Sequence, residues 1–259
     1  MVNILLYEYP KNKWNEMLNL FKSHKHFKSL IMGTIHEGFG QIFVDNLENP
    51  TNAALRYKML TAFGGTGNGK VKEFFSLVPE RSYLLCPNKE WISHVREFYN
   101  DDLTIVDRIS VSSKDLNLNH IRKLKNNHSK DYEIVQLNDE LVDTFEGKFL
   151  QRYSYFYGTL EVFKKKGFGF CALHKGKIVA VAATVLPFVD KEYEVQVDTL
   201  PEHREKGLAT SVCAHLIEFS LKNGYDPLWD AFTPISAALA KKLGYTNPKE
   251  YQLLMLGEA

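Results

Sequence analysis

The chain has 259 residues, 44% hydrophobic and 24% charged, the balance of a folded globular protein with material for a sizeable core. Its 32 Lys and Arg against 31 Asp and Glu leave a formal net charge of +1, so the electrostatic footprint of a nucleic-acid binder is missing. Three cysteines, Cys86, Cys171 and Cys213, without CxxC spacing, argue against a disulfide framework or a zinc site and suit a reducing cytoplasm.

The opening MVNILLYEYPK is too short and acidic for a signal peptide, and the best apolar run, 178–189, is broken by Thr184 and Pro187 and too short to span a bilayer. The expectation is a cytoplasmic protein with no membrane segment. Residues 13–22 place Trp14, Met17, Leu18 and Phe21 at helical spacing and predict a helix. Residues 30–35 and 41–44 read as strands around Gly38 and Gly40. Asn49-Pro50-Thr51 starts a turn or helix, and 90–99 predicts another helix. The pair His24-x-His26 has no third ligand placed nearby and reads as a surface pair rather than a metal site. The basic run HIRKLKNNHSK (120–130) reads as a solvated linker, and the domain boundary is set near 130. Residues 1–130 then form a smaller α/β domain of open role, and 131–259 a second domain.

From residue 131 the pattern sharpens. Residues 132–137 predict a strand, and Asn138 caps a helix running toward Leu150. A helix over 159–166 carries three lysines in its last turn, where positive charge suits the dipole, and Gly167 ends it. Residues 168–174 and 177–189 form a hairpin about Lys175-Gly176, and a turn at Asp190-Lys191 leads into a strand over 192–199. A long helix (207–222), a strand (228–232), a helix (236–243) and a last strand (251–256) follow. Antiparallel strands, then a strand reached through a helix, imply an α/β fold on a mixed sheet with helices on both faces. No internal repeat or low-complexity tract is visible.

Two glycine-bearing turns compete as phosphate cradles. GGTGNGKV (64–71) nearly spells a P-loop, with Lys70 as its lysine, but Val71 stands where a magnesium-binding hydroxyl belongs. The preceding LRYKMLTAF looks half exposed rather than a buried parallel strand, so this segment reads as a flexible glycine turn before a helix near Val71. The second, REKGLA (204–209), opens the long helix, whose Leu208, Val212, Leu216 and Phe219 share one stripe. Its first turn leaves backbone N–H groups without partners at the positive end of the dipole, Gly207 has no side chain to hold a diphosphate away, and Arg204 and Lys206 add charge. Thr210 and Ser211 offer hydroxyls.

Arg204-x-x-Gly207-x-Ala209, after a strand and the loop Pro201-Glu202-His203, resembles the signature of the GNAT superfamily of acyl-CoA N-acyltransferases. SAALAKKLGY (236–245) resembles the family's late helix. FKKKGFGFCALHKGKIVAVAA, VDTLPEHREKGLA and PLWDAFTPISAALAKKLGY together resemble a bacterial GNAT group that includes zwittermicin A self-resistance acetyltransferases. The likeness covers about 160–246.

This resemblance implies acetyl-CoA as co-substrate, no metal, and a small-molecule amine acceptor such as an antibiotic or metabolite; it also admits a homodimer. It implies that the strand before the signature splays from its neighbour, with main-chain groups of Val197 and Thr199 pairing the pantetheine arm and one N–H polarising the thioester carbonyl. Backbone amides of Arg204, Glu205, Lys206, Gly207, Leu208, Ala209 and Thr210 would hold the diphosphate. Alternation along the strand sends Glu192, Glu194, Gln196 and Asp198 one way and Tyr193, Val195, Val197 and Thr199 the other, an acidic groove suited to a cationic amine. An aliphatic ammonium, with a reference pKa of about 10.4, must lose a proton before attack, and Glu194 is preferred as the base over Glu192 or Asp198. Two positions depart from the pattern. Ala240 stands where the family often has an acid tyrosine, leaving a non-catalytic acyl-CoA-binding sensor as the alternative reading, with Tyr245 taken as a core aromatic. Thr233 stands where the bacterial group tends to have Asn.

Overall fold

The computed structural model describes residues 6–69, 71–185 and 190–257. By its contacts the chain divides into two compact units. The amino-terminal unit runs to Asp107 and takes back the chain from Tyr251 onward; the second comprises Arg108–Glu250.

The amino-terminal unit opens with β1 (Tyr7–Glu8), a 3₁₀ turn at Lys11–Met17 and α1 (Leu18–Phe21). Trp14, Met17 and Phe21 are buried, as their spacing predicts. Next comes α2 (Lys28–His36), where the sequence suggested a strand. A six-residue apolar run is ambiguous by period alone; here Ile31 and Ile35, one turn apart, reach the same core, and the Thr34 hydroxyl donates to the Leu30 carbonyl at 2.7 Å within the helix. The unit continues through β2 (Gln41–Val44), β3 (Asn52–Tyr57), β4 (Leu60–Gly65), a 3₁₀ helix at Lys72–Leu77, β5 (Ser82–Leu85) and α3 (Lys89–Tyr99), whose cap Asn88 accepts from the Trp91 N–H. The strand β6 (Leu103–Ser112) then carries the chain into the second unit.

Residues 120–130 are not a linker. They begin within α4 (Leu118–Leu124), whose Ile121 is wholly buried, and this helix moves the boundary upstream of residue 130. Then follow β7 (Glu133–Gln136), α5 (Asp139–Asp143), α6 (Gly147–Tyr157), α7 (Leu160–Lys166), β8 (Gly169–His174), β9 (Lys177–Thr184) and β10 (Glu192–Thr199). Asn138 does cap a helix, accepting from the Leu141 N–H at 2.8 Å, but that helix stops at Asp143 and α6 begins afresh. The predicted strand end at 186–189 lies outside the described residues. The chain closes through α8 (Leu208–Asn223), β11 (Asp226–Ala231), α9 (Pro234–Leu243) and β12 (Thr246–Leu256).

Each unit has a mixed sheet with helices on both faces. Strand β9 shows the sorting: Ala180 and Ala182 join a core with α4, α8 and α9, while Val181 and Ala183 join an aromatic core with α6 and α7. In the second unit the strand order is β7-β8-β9-β10-β11-β6; in the amino-terminal unit it is β1-β2-β3-β4-β5-β12. Both orders are antiparallel except at one place, β10–β11 and β4–β5. In both, three strands form a meander, a turn and a helix follow, a parallel strand returns, a second helix follows, and a final strand leaves. The chain therefore contains the same topology twice, a repeat that leaves no trace in the amino-acid sequence.

Candidate active site

The parallel register of β10 with β11 covers Glu192, Tyr193 and Glu194; from Val195 to Thr199, β10 continues against β9 alone. Beyond Leu228, β11 pairs with β6 instead, through Trp229, Asp230 and Ala231. The two parallel strands thus part after three residues.

Hydrogen-bond parity tells which groups line the parted edge. Glu194 accepts from Val185 and Leu200 donates to Val179, so even-numbered residues bond toward β9; Lys191 accepts from Asp226, so odd-numbered residues bond toward β11. The Val195 carbonyl and the main-chain groups of Val197 and Thr199 therefore face the opening. Gln196, from the same strand, reaches the Val197 carbonyl at 3.3 Å, and Arg204 Nε lies 3.5 Å from the Thr199 carbonyl. Among the described residues no side chain from another element bonds these carbonyls. The buried Thr199 hydroxyl has no hydrogen-bond partner.

At the end of β10 the chain turns through Pro201–His203 into α8. Arg204, Glu205 and Lys206 are exposed, and Glu205 and Gly207 take left-handed backbone, with φ of 61° and 80°. Gly207 makes no side-chain cap, and Ser211 is the residue whose amide donates back to the Gly207 carbonyl, so the amides of the first turn point out of a 16-residue helix. The need for glycine has a cause that the sequence hid. A Cβ at 207 would lie 1.7 Å from the Asn127 carbonyl, so backbone following α4 occupies that space. The hydroxyl expectation also changes for Ser211, whose Oγ is buried against His128 Nδ1 at 3.0 Å. Leu208 and Thr210 are buried as well.

Glu218 holds α4 in place. It accepts from Arg122 (3.0 Å), Lys125 (2.6 Å) and Lys222 (2.9 Å), and these cations, Lys125 foremost, pull its carboxyl down to about 2. This network fixes the segment that crosses Gly207.

Tyr193, Val195 and Val197 pack toward α8, as alternation predicts. On the opposite face the acidic groove needs revision. Asp198 is buried and paired with Lys148 and Arg152 of α6, and with Gln196 at 2.9 Å, so it is neutralised and held rather than available as a base. Helix α6 was only partly visible in the sequence; Phe149, Tyr153 and Tyr157, buried and spaced four residues apart, are the signal that could have revealed it. Glu194, half-buried, remains the carboxylate at the point where the strands part, and Glu192 is exposed.

Tyr245 and Tyr193 are occupied in the core. Tyr245 is buried, donates to the Pro227 carbonyl at 2.8 Å, and is pushed far above the usual phenol range by burial; Ala240 is buried beside it in the same core. Tyr193 shares a 2.5 Å hydrogen bond with Ser220. Thr233 caps α9, accepting from the Ser236 N–H at 3.2 Å. Burial raises the thiols of Cys86 and Cys171 to about 12, and that of Cys213 further, so none is a ready nucleophile. Among the described residues no cluster of three or more His, Cys, Asp or Glu could hold a metal, and no helix is long and apolar enough to cross a membrane.

In the other glycine segment, Gly64 and Gly65 end β4 and lead into the 3₁₀ helix at Lys72–Leu77, while Lys70 lies outside the described residues. Strand β4 is not half exposed: Thr61, Ala62, Phe63 and Gly64 are buried.

A parallel pair that parts at mid-sheet, with an uncapped helix start at the end of one strand, has the geometry to suit an extended ligand carrying an anionic group. The family model for GNAT acetyltransferases matches residues 18–254, and the chain belongs to that family of acyltransferases. It is 23% identical to the uncharacterized N-acetyltransferase YdfB of Bacillus subtilis (strain 168), over 98% of this chain and 99% of the relative. It resembles the crystal structure of a GCN5-related N-acetyltransferase-like protein from Streptococcus suis 89/1591 with a TM-score of 0.76 and 26% identity, covering 94% of this chain and 98% of that one. A tandem GNAT protein from the clavulanic acid biosynthesis pathway shares the fold, with a TM-score of 0.61 at 11% identity over 98% of this chain and 100% of that one.

Proposed function

We propose that this acetyltransferase takes its acetyl group from acetyl-CoA and delivers it directly to the amine of a small molecule, an antibiotic or metabolite, in a bacterial cytoplasm. One observation carries the reading: beyond Glu194 the β11-side edge of β10 is joined by no other strand among the described residues, and it leads to the open first turn of α8. The residues present fit the co-substrate. Amides from Arg204 to Thr210 suit a diphosphate, with Arg204 and Lys206 adding charge, and the edge amides and carbonyls suit the amide-bearing pantetheine arm. When bound, acetyl-CoA supplies the acetyl group as a thioester.

The chain's own part begins with Glu194, which accepts a proton from the acceptor ammonium, directly or through water, and so frees the lone pair for attack. An edge N–H of β10 donates to the carbonyl oxygen as charge develops there. With the cysteine thiols raised by burial, direct transfer is favoured over an acyl-cysteine route. Ala240 leaves protonation of the departing thiolate to water, which its reference pKa of about 8.5 permits. A non-catalytic acyl-CoA sensor is the competing reading, motivated by that same Ala240.

The test is thiol release from acetyl-CoA across a panel of primary amines. Release that requires both substrates supports the proposal. No release with any amine, together with no thermal stabilisation by millimolar acetyl-CoA, sinks it; stabilisation without release favours the sensor.

A further inference from the structure

The two parallel strand pairs can be placed in register. In the second unit Asp226 donates to the Lys191 carbonyl and Glu192, Tyr193 and Glu194 pair with Asp226, Pro227 and Leu228. In the amino-terminal unit Tyr83 donates to the Met59 carbonyl and Leu60, Thr61 and Ala62 pair with Tyr83, Leu84 and Leu85. Both pairs then part, so Phe63 stands at the place of Val195 and Gly65 at the place of Val197. Ala62 stands at the place of Glu194.

The parted edges differ in what meets them. The Phe63 carbonyl accepts from His24 Nε2 at 2.7 Å, and the Gly65 carbonyl accepts from Asn88 Nδ2 at 3.1 Å. Both donors come from elsewhere in the unit and continue, with side chains, the ladder that β5 leaves. Burial holds His24 below the usual histidine range, which keeps it neutral, with Nε2 as the donor that a carbonyl partner requires. The body of the opening is filled as well. The Trp91 ring stacks on Phe63 at 4.5 Å, and a Cβ at Gly67 would lie 3.0 Å from Trp91. A Cβ at Gly64 would lie 3.0 Å from the Phe21 ring. The following 3₁₀ helix at Lys72–Leu77 offers no long run of aligned amides.

We infer that the amino-terminal unit is a second copy of the coenzyme-binding module whose slot has been sealed by His24, Asn88, Trp91 and Phe21, so that each chain takes one coenzyme, in the second unit. The inference rests on the reading of β10 and α8 given above. It also accounts for part of GGTGNG: Gly64 and Gly67 let Phe21 and Trp91 close over the chain and do not cradle a phosphate.

Native mass spectrometry of the full chain titrated with coenzyme A, combined with hydrogen exchange on the same samples, separates the two claims. One coenzyme per chain, with protection over residues 204–211 and unchanged exchange over 61–69, is the expected result. A second equivalent, or protection over 61–69, overturns the seal. No binding at any concentration overturns the reading of the second unit, while still agreeing with a sealed first one.

Discussion

Strands β4 and β10 begin alike and end differently. Each runs antiparallel beside one neighbour, takes three residues of parallel pairing from another, and then parts from it. A parted strand exposes amides and carbonyls, and inside a protein such groups must find partners or cost roughly 1–3 kcal/mol each. The amino-terminal unit supplies partners from its own side chains, His24 and Asn88. The second unit supplies long contacts from Gln196 and Arg204, both local to the strand and its turn, and leaves the Thr199 hydroxyl unpaired. Topology alone therefore does not make a binding site; the difference lies in whether the edge is already satisfied.

Substitutions can break this comparison. Glu194→Gln has the largest expected effect. It should lower kcat by about 10²–10⁴-fold with little change in acetyl-CoA affinity, because it removes a proton acceptor and keeps the shape. The counterpart position already carries Ala62, so no change there should mimic it. Steady-state kinetics with a separate binding titration checks this.

Gly207→Ala comes next. It places a Cβ against the Asn127 carbonyl at a φ of 80°, and a displacement of that size should cost about 100-fold in coenzyme affinity. The matching change Gly65→Ala also meets a carbonyl, that of Thr51 at 2.0 Å, with φ of 84°. It should lower thermal stability yet leave the affinity of the folded protein unchanged.

Glu218→Gln should cost about 2 kcal/mol at neutral pH by weakening bonds to three cations. The folded carboxyl sits at about 2 against an ordinary 4.5, so its contribution is full above pH 4.5 and fades as pH falls toward 2. The variant should lose that part of its acid sensitivity in chemical denaturation series. Because Glu218 anchors α4, coenzyme affinity should fall slightly too.

His24→Ala should have the smallest effect on activity, none within error, while costing about 1–2 kcal/mol of stability. The unfolded histidine gains its proton near 6.5, and the folded one resists it. The unfolded state thus binds more protons below that point, and stability falls as pH drops from about 6.5. Thermal shift against pH should show this slope reduced in the variant.

Much of the second unit was legible from periodicity. The stripe Leu208, Val212, Leu216 does face the core, β10 alternates as read, and Thr159 and Gly167 bound α7 as their chemistry suggests. The resemblance around REKGLA directed attention to the turn that the geometry leaves open. What escaped notice depended on distant partners. Arg122 and Lys125 look solvated in a basic run, but their carboxylate is Glu218, far along the chain. Asp198 reads as part of an acidic groove until Lys148 and Arg152 are brought to it. Residues 30–35 favour a strand by composition, and packing of Ile31 and Ile35 makes them helical. The duplication was invisible because it is preserved in hydrogen-bond register, where Glu194 matches Ala62 and Val197 matches Gly65.

Diffraction from crystals soaked in coenzyme A tests the central claim most directly. The account predicts diphosphate density against the amides that open α8, beside Gly207, with the pantetheine arm along Val195, Val197 and Thr199. Density for the diphosphate anywhere else, above all beside Gly64–Gly69 in the amino-terminal unit, would contradict it.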